Sequence, residues 1–273
     1  MELVLLKDLL VTEMPNQVKM KQLVDFKSNF LNLSNIDIKK NQTKVVVNKV
    51  LTEDNIKINL DENATLTYIT FDEGKNEHAY NYFTANLQKN ATLKIYNVIT
   101  TSFQHNIKGM VYLNNIGASV EIINLLLGTK NAQINSDIDI YHYQANTNSN
   151  LTNYAIAKDF ANVLLNNNAT IKKFASSSVA HQQTKGLTIS KDAKIKALPN
   201  LYIDEYDVIA GHACAIGSIN KDDLFYLMSR GLSEAEASKI VVMGYVRPIL
   251  DHIVDQELKQ TIEQVFANKL LNE

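Results

Sequence analysis

Asn63-Ala64-Thr65-Leu66-Thr67 returns as Asn90-Ala91-Thr92-Leu93-Lys94, Gly117-Ala118-Ser119-Val120-Glu121, Asn168-Ala169-Thr170-Ile171-Lys172 and Asp192-Ala193-Lys194-Ile195-Lys196, with a weaker copy at Asn148-Ser149-Asn150-Leu151-Thr152. Successive copies begin 27, 27, 31, 20 and 24 residues apart (90−63, 117−90, 148−117, 168−148, 192−168). A period of this size marks a solenoid or array, in which each repeat is one unit stacked on the next. The chemistry of the quintet agrees. Asn, Gly or Asp tolerates the left-handed backbone of a tight corner, Ala suits a close approach, and the branched fourth residue points inward while its neighbours face water. A single coil cannot satisfy its own backbone, so coils stack, pairing backbone groups and burying a common apolar column. The reading is a mainly β fold, a right-handed parallel β-helix (β-solenoid) of six or seven coils between about residues 40 and 210. An antiparallel sandwich also gives short strands with turn signals, but the regular quintet argues against it.

Outward from the repeat, three regions separate. Residues 1–40 form a lead-in that reads as irregular or partly helical, broken at Pro15. Residues 41–217 are the solenoid, and residues 218–273 a small C-terminal α-helical domain. The boundary lies inside Leu198–Gly231: before Ser218 apolar residues alternate or come in short runs, and after Asn220 they recur every three or four positions. Asn220 reads as an N-cap with Asp222 and Asp223 in the first turn, and Gly231 as a left-handed C-terminal cap. Ser233-Glu234-Ala235-Glu236 reads as a capping box opening a second helix, which Pro248 should interrupt with a kink near Gly244. Leu258, Ile262, Val265, Phe266 and Leu270 make the apolar stripe of a third. Three helices after a solenoid make a cap at one end, or a docking surface.

Composition excludes several classes. The formal net charge of −2 is spread along the chain, leaving no electrostatic footprint for nucleic acid or an anionic membrane. A single cysteine forms no internal disulfide and suits a reducing compartment. The first residues do not read as a signal peptide and no apolar run approaches a membrane span, so the expected location is cytoplasmic. Asn63, Asn90 and Asn168 open glycosylation-like triplets that read as turn chemistry. His78, His105, His142 and His181 are scattered without ligand-like spacing and read as surface or corner residues. Strand alternation puts Asp137 and Asp139 on one face and His142 on the other.

The stretch Pro199–Gly231, P-N-L-Y-I-D-E-Y-D-V-I-A-G-H-A-C-A-I-G-S-I-N-K-D-D-L-F-Y-L-M-S-R-G, resembles the C-terminal signature of the SufB/SufD family of iron–sulfur cluster assembly proteins. Leu224, Phe225, Tyr226, Leu227, Ser229, Arg230 and Gly231 match its Leu-Phe-Tyr-Leu-x-Ser-Arg-Gly run. Ala213, where the SufB branch has Glu, makes the chain resemble a short SufD; Gly211 and Cys214 depart from the usual Ser and Ala. The resemblance implies a non-enzymatic subunit of a complex with a SufB-type partner and a SufC-type ABC ATPase, or a homodimer when alone. It implies no stably bound cofactor, only a transient iron–sulfur cluster or iron at the shared interface, with His212 as its metal contact. Cys214 is a softer donor, and its two-residue spacing from His212 puts both on one face only in an extended strand. The helices would dock the ATPase around Phe225, Tyr226 and Arg230, since the chain has no phosphate-binding glycine loop of its own. Two other readings stay open: a β-helix enzyme acting on polysaccharide or acyl substrates, and a purely structural dimerising solenoid.

Overall fold

The computed structural model describes residues 3–6, 9–13, 35–49, 53–253 and 255–272. In chain order its strands are β1 (Leu3–Leu6), β2 (Leu9–Glu13), β3 (Asn35–Ile38), β4 (Thr43–Lys49), β5 (Glu53–Leu60), β6 (Thr65–Asp72), β7 (His78–Leu87) and β8 (Thr92–Thr101). There follow β9 (Gln104–Leu113), β10 (Ser119–Gly128), β11 (Gln133–His142), β12 (Asn148–Ala157), β13 (Asn162–Ile171), β14 (Ser178–Thr188), β15 (Lys194–Ile203) and β16 (Val208–Ser218). The chain ends in α1 (Lys221–Ser229), α2 (Glu234–Leu250) and α3 (Gln256–Asn272). From β3 to β16 successive strands alternate between two parallel sheets, odd strands in one and even strands in the other. The result is a β-solenoid of about six turns. β1 and β2 add antiparallel to the even sheet beside β4. Within residues 1–40, where an irregular or partly helical lead-in was the expectation, the described residues of β1, β2 and β3 are strands, because the sheet edges offer unpaired backbone partners. Pro15 lies outside the described residues.

The quintets sit at the corners. Asn63 (φ 56°), Asn90 (φ 53°) and Gly117 (φ 74°) all lie in the left-handed region, and Ala64, Ala91 and Ala118 are fully buried beneath the next coil. Side chains ladder up this edge, Asn63 Nδ2 donating to Asn41 Oδ1 (3.0 Å) and Asn90 Nδ2 to Asn63 Oδ1 (3.2 Å). Gly117 follows because a Cβ there would collide with the Asn90 carboxamide.

Inside the coils run apolar columns including Leu66, Leu93, Val120 and Tyr68, Ile95, Ile122, Leu151. One column is polar: Asn97 Nδ2 donates to Asn124 Oδ1 (2.8 Å), Asn124 Nδ2 to Asn153 Oδ1 (2.7 Å), and Asn153 Nδ2 to Thr184 Oγ1 (3.2 Å). Two of the histidines read as surface or corner residues are buried in the interior. His105 is fully buried with Nδ1 2.7 Å from Asp72 Oδ2. His142 is fully buried between the hydroxyls of Thr147 and Ser149. Both fall on the inward phase of their strands; interior partners meet both ring nitrogens of His142 but only the Nδ1 of His105, whose Nε2 is buried without a partner. Asp137 and Asp139 do face away from His142, binding Asn166 and Asn168 of the next coil.

The helix caps form as the sequence implies: Asn220 accepts from the Asp222 N–H, and Ser233 and Glu236 complete a capping box. Helix α2 runs on through Pro248 to Leu250: the ring forfeits one backbone donor, while the Asp251 N–H still reaches the Arg247 carbonyl (3.2 Å). The placement of the helices differs from an end cap. Val242, Val246, Ile249, Leu258, Ile262 and Phe266 share one apolar cluster with Ile69, Phe71, Tyr96, Val98, Ile123, Leu125, Leu127, Ile156 and Leu187. Helices α2 and α3 thus lie along the side of the even sheet, whose outward residues at these positions are apolar instead of polar. Each such buried Leu, Ile or Phe contributes about 1.5–3 kcal/mol.

Candidate functional site

Among the described residues nothing stacks on the last coil. β16 pairs with β14 alone and β15 with β13 alone among the described residues, so each presents one unpaired edge. Leu198, Tyr202, Ile203, Ile209 and Ile216 of these strands are exposed, unlike the buried apolar residues of earlier coils. A bare edge flanked by apolar side chains is a pairing surface. At its corner Glu205 accepts the backbone N–H groups of Phe174 (2.8 Å) and Tyr206 (2.9 Å), bonds that hold its carboxyl below the usual carboxylate range.

His212 and Cys214 both lie in β16, two residues apart in extended backbone, so they share a face. That face continues the interior. Their partners in register on β14 are Gln182 and Thr184, which are 4% and 3% exposed. His212 thus ends the column of Tyr68, Ile95, Ile122 and Leu151, while Cys214 ends the polar column of Asn97, Asn124, Asn153 and Thr184. Both are exposed, and among the described residues no further coil covers them. A neutral imidazole and a thiolate are donor types that iron and iron–sulfur clusters take, and two donors leave further iron positions to be filled from elsewhere. Among the described residues no three His, Cys, Asp or Glu side chains are grouped to hold a metal ion.

Phe225, Tyr226 and Arg230 belong to a different surface. β16 runs through Ile219 and Asn220 into α1, a helix that buries none of its residues. Phe225 is 76% and Tyr226 57% exposed, and the Arg230 guanidinium lies 5.3 Å from the centre of the Tyr226 ring. Beside them a groove of about 710 Å³ opens between the turn after β14, α1 and the start of α2, lined by Ile189, Ile219, Leu224, Phe225 and Met228 among others. Reading the sequence singles out neither Gln182, Thr184 nor the interior ladder. A signal existed: Thr70, Asn97, Asn124, Asn153, Thr184 and Cys214 are consecutive partners in one column, which a register taken from the corners would have lined up.

The model of the SUF system FeS cluster assembly, SufBD core domain, matches residues 32–245. The chain belongs to the SufBD family. The match takes in β3 to β16, α1 and most of α2, the whole of the open end included. An iron–sulfur cluster assembly protein SufD of Bacillus subtilis is 32% identical over 136 residues, 50% of this chain and 31% of that protein. An iron–sulfur cluster assembly SufBD family protein of Mycobacterium tuberculosis is 25% identical over 226 residues, 80% of this chain and 57% of the relative. One from Mycobacterium leprae is 27% identical over 156 residues, 56% of this chain and 18% of the relative. The chain thus spans less than two thirds of the length of these curated relatives. The SufD-like character of the signature agrees with the Bacillus subtilis match. Among the described residues no helix is long and apolar enough to cross a membrane.

Proposed function

We propose that this SufBD family chain is a cytoplasmic, non-enzymatic SufD-like subunit that joins a SufB-type partner through the open end of its solenoid. His212, with Cys214 beside it, contacts the iron or nascent iron–sulfur cluster that the two subunits enclose. The observation that carries this reading is the shared face of His212 and Cys214 on an unpaired edge strand. A partner strand added to β16 would satisfy the backbone edge, cover the exposed apolar residues, and supply the ligands that two side chains cannot. The cluster is cargo, held by donors from both sides and released. A second copy of the chain could use the same edge when no partner is present.

His212→Ala is the test. The residue is exposed, so folding and assembly with the partner are expected to survive, while cluster yield of the assembled complex falls by roughly tenfold or more, the scale already seen for losses next to metal ligands. Unchanged cluster yield in the complex would remove His212 from the site.

A SufC-type ABC ATPase docks, on this reading, on α1 and the adjoining groove. Phe225 and Tyr226 expose aromatic surface without contributing to the core, as docking residues do. The Phe225→Ala, Tyr226→Ala double variant should keep wild-type thermal stability to within about 0.5 kcal/mol and lose co-purification of the ATPase. Retained co-purification would place the ATPase elsewhere.

A further inference from the structure

The interior column that ends at His212 changes character one strand before its end. Tyr68, Ile95, Ile122 and Leu151 give way to Gln182, and Gln182 lies in register beneath His212. Gln182 is 4% exposed, and its Nε2 donates to the backbone carbonyl of Asn200 across the solenoid (3.3 Å). Its Oε1 is buried with no hydrogen-bond partner. A buried acceptor left alone carries a desolvation cost that another leucine in this column would not. The side chain next in register on the same face, one strand spacing of about 4.8 Å away, is an imidazole, which in its neutral form carries one N–H donor and one bare nitrogen.

We infer that Gln182 is the positioning residue of His212: when the imidazole turns inward about its side-chain bonds, the unpartnered Oε1 accepts a ring N–H of His212, which fixes one tautomer and turns the other ring nitrogen toward the open end as the iron-binding atom. Metal-binding histidines commonly hold their second nitrogen on a carboxylate or carbonyl, which sets ring orientation and raises donor strength. Here the carbonyl comes from the preceding coil and is itself anchored through Nε2 to the opposite sheet, so it cannot follow the ring if His212 swings outward. This use of Gln182 rests on the reading of His212 as the iron contact, but the hydrogen bond does not.

The experiment is performed on the full chain labelled with 15N-histidine. Long-range 15N–1H correlation reports which nitrogen of each ring carries the proton, with His212→Ala assigning the signal. The wild type is expected to show a single His212 tautomer. Gln182→Met, equal in length and lacking the acceptor, should give a mixture of tautomers, and Gln182→Glu should restore one tautomer. A mixture in the wild type, or a single tautomer undisturbed by Gln182→Met, overturns the hydrogen bond. In the assembled complex Gln182→Met should lower cluster yield by roughly 10–100-fold, with recovery in Gln182→Glu. If Gln182→Met keeps the wild-type yield while His212→Ala loses it, the positioning role is wrong and the iron contact stands; if both keep it, both fall.

Discussion

Asn124→Ala should destabilise the protein by about 3–5 kcal/mol, the largest loss expected from any single substitution considered for the fold. Asn124 is fully buried and holds both neighbours of the interior ladder, accepting from Asn97 at 2.8 Å and donating to Asn153 at 2.7 Å. Alanine leaves the Asn97 Nδ2 and the Asn153 Oδ1 without partners, each at about 1–3 kcal/mol, and opens a small cavity that rigid flanking coils cannot close. The comparison that decides the cause is Asn135→Ala. Asn135 also donates to an asparagine one coil away, Asn106 Oδ1 at 2.9 Å, but on the exposed face, where water replaces the lost partner. There the cost should stay under about 1 kcal/mol. Urea unfolding of the two variants measures both, and equal losses would show that burial of the ladder is not what makes it matter.

How far the sequence exposes this architecture depends on which residues carry the repeat. Asn63, Asn90 and Gly117 are legible because a left-handed corner admits few residue types, and the buried alanine after each leaves no alternative of larger size. The copy at Asn148 is misplaced by two residues. Ser119 pairs with Asn148, so the corner equivalent to Gly117 is Asn146 (φ 58°), and Thr147 fills the alanine position. That substitution has a local cause: Thr147 Oγ1 meets His142 Nδ1 at 2.8 Å and Ser178 Oγ at 2.8 Å, so a buried polar group has displaced the repeat's own signature. The copy at Asn168 lies at the end of β13, where its side chain pairs with Asp139 and marks no corner. Asp192 heads β15 in a second line of corners, with Ala132 and Ala161 as the buried mates of Ala193. The strand period thus emerges from side chains of restricted conformation, whereas the interior polar column shows only once the strands are set in register from the true corners, two of which the repeat misplaces. The helices illustrate the same limit: their apolar stripes are plain, but only the apolar outward residues of β8 and β10 show that they lie along the side of the sheet.

Acid should weaken the fold through His142, and the effect should appear between pH 6.5 and about 4. His142 is fully buried, and burial pushes its pKa down to about 4. The Thr147 hydroxyl donates to the Gln144 carbonyl (3.0 Å) and so takes the His142 Nδ1–H, while the Ser149 hydroxyl donates to Nε2 (2.9 Å). The ring is thereby held neutral. In the unfolded chain a histidine binds its proton near pH 6.5, so between that value and about 4 the unfolded state carries more protons and stability falls as pH falls. The stabilisation is complete above about pH 6.5, and its loss by pH 4 amounts to about 3 kcal/mol, since each unit of difference is worth about 1.4 kcal/mol. Carboxyls held low by hydrogen bonds, those of Glu73 and Glu205 among them, lose their contributions only as they protonate, at and below the ordinary carboxylate range. The upper part of the window therefore isolates the imidazole. His142→Gln retains hydrogen-bonding capacity without a titrating proton, so its urea midpoint should be lower than wild type at pH 7 but nearly level from pH 7 to 5, where the wild-type midpoint declines. Parallel curves for the two proteins would mean that the acid sensitivity lies in some other group.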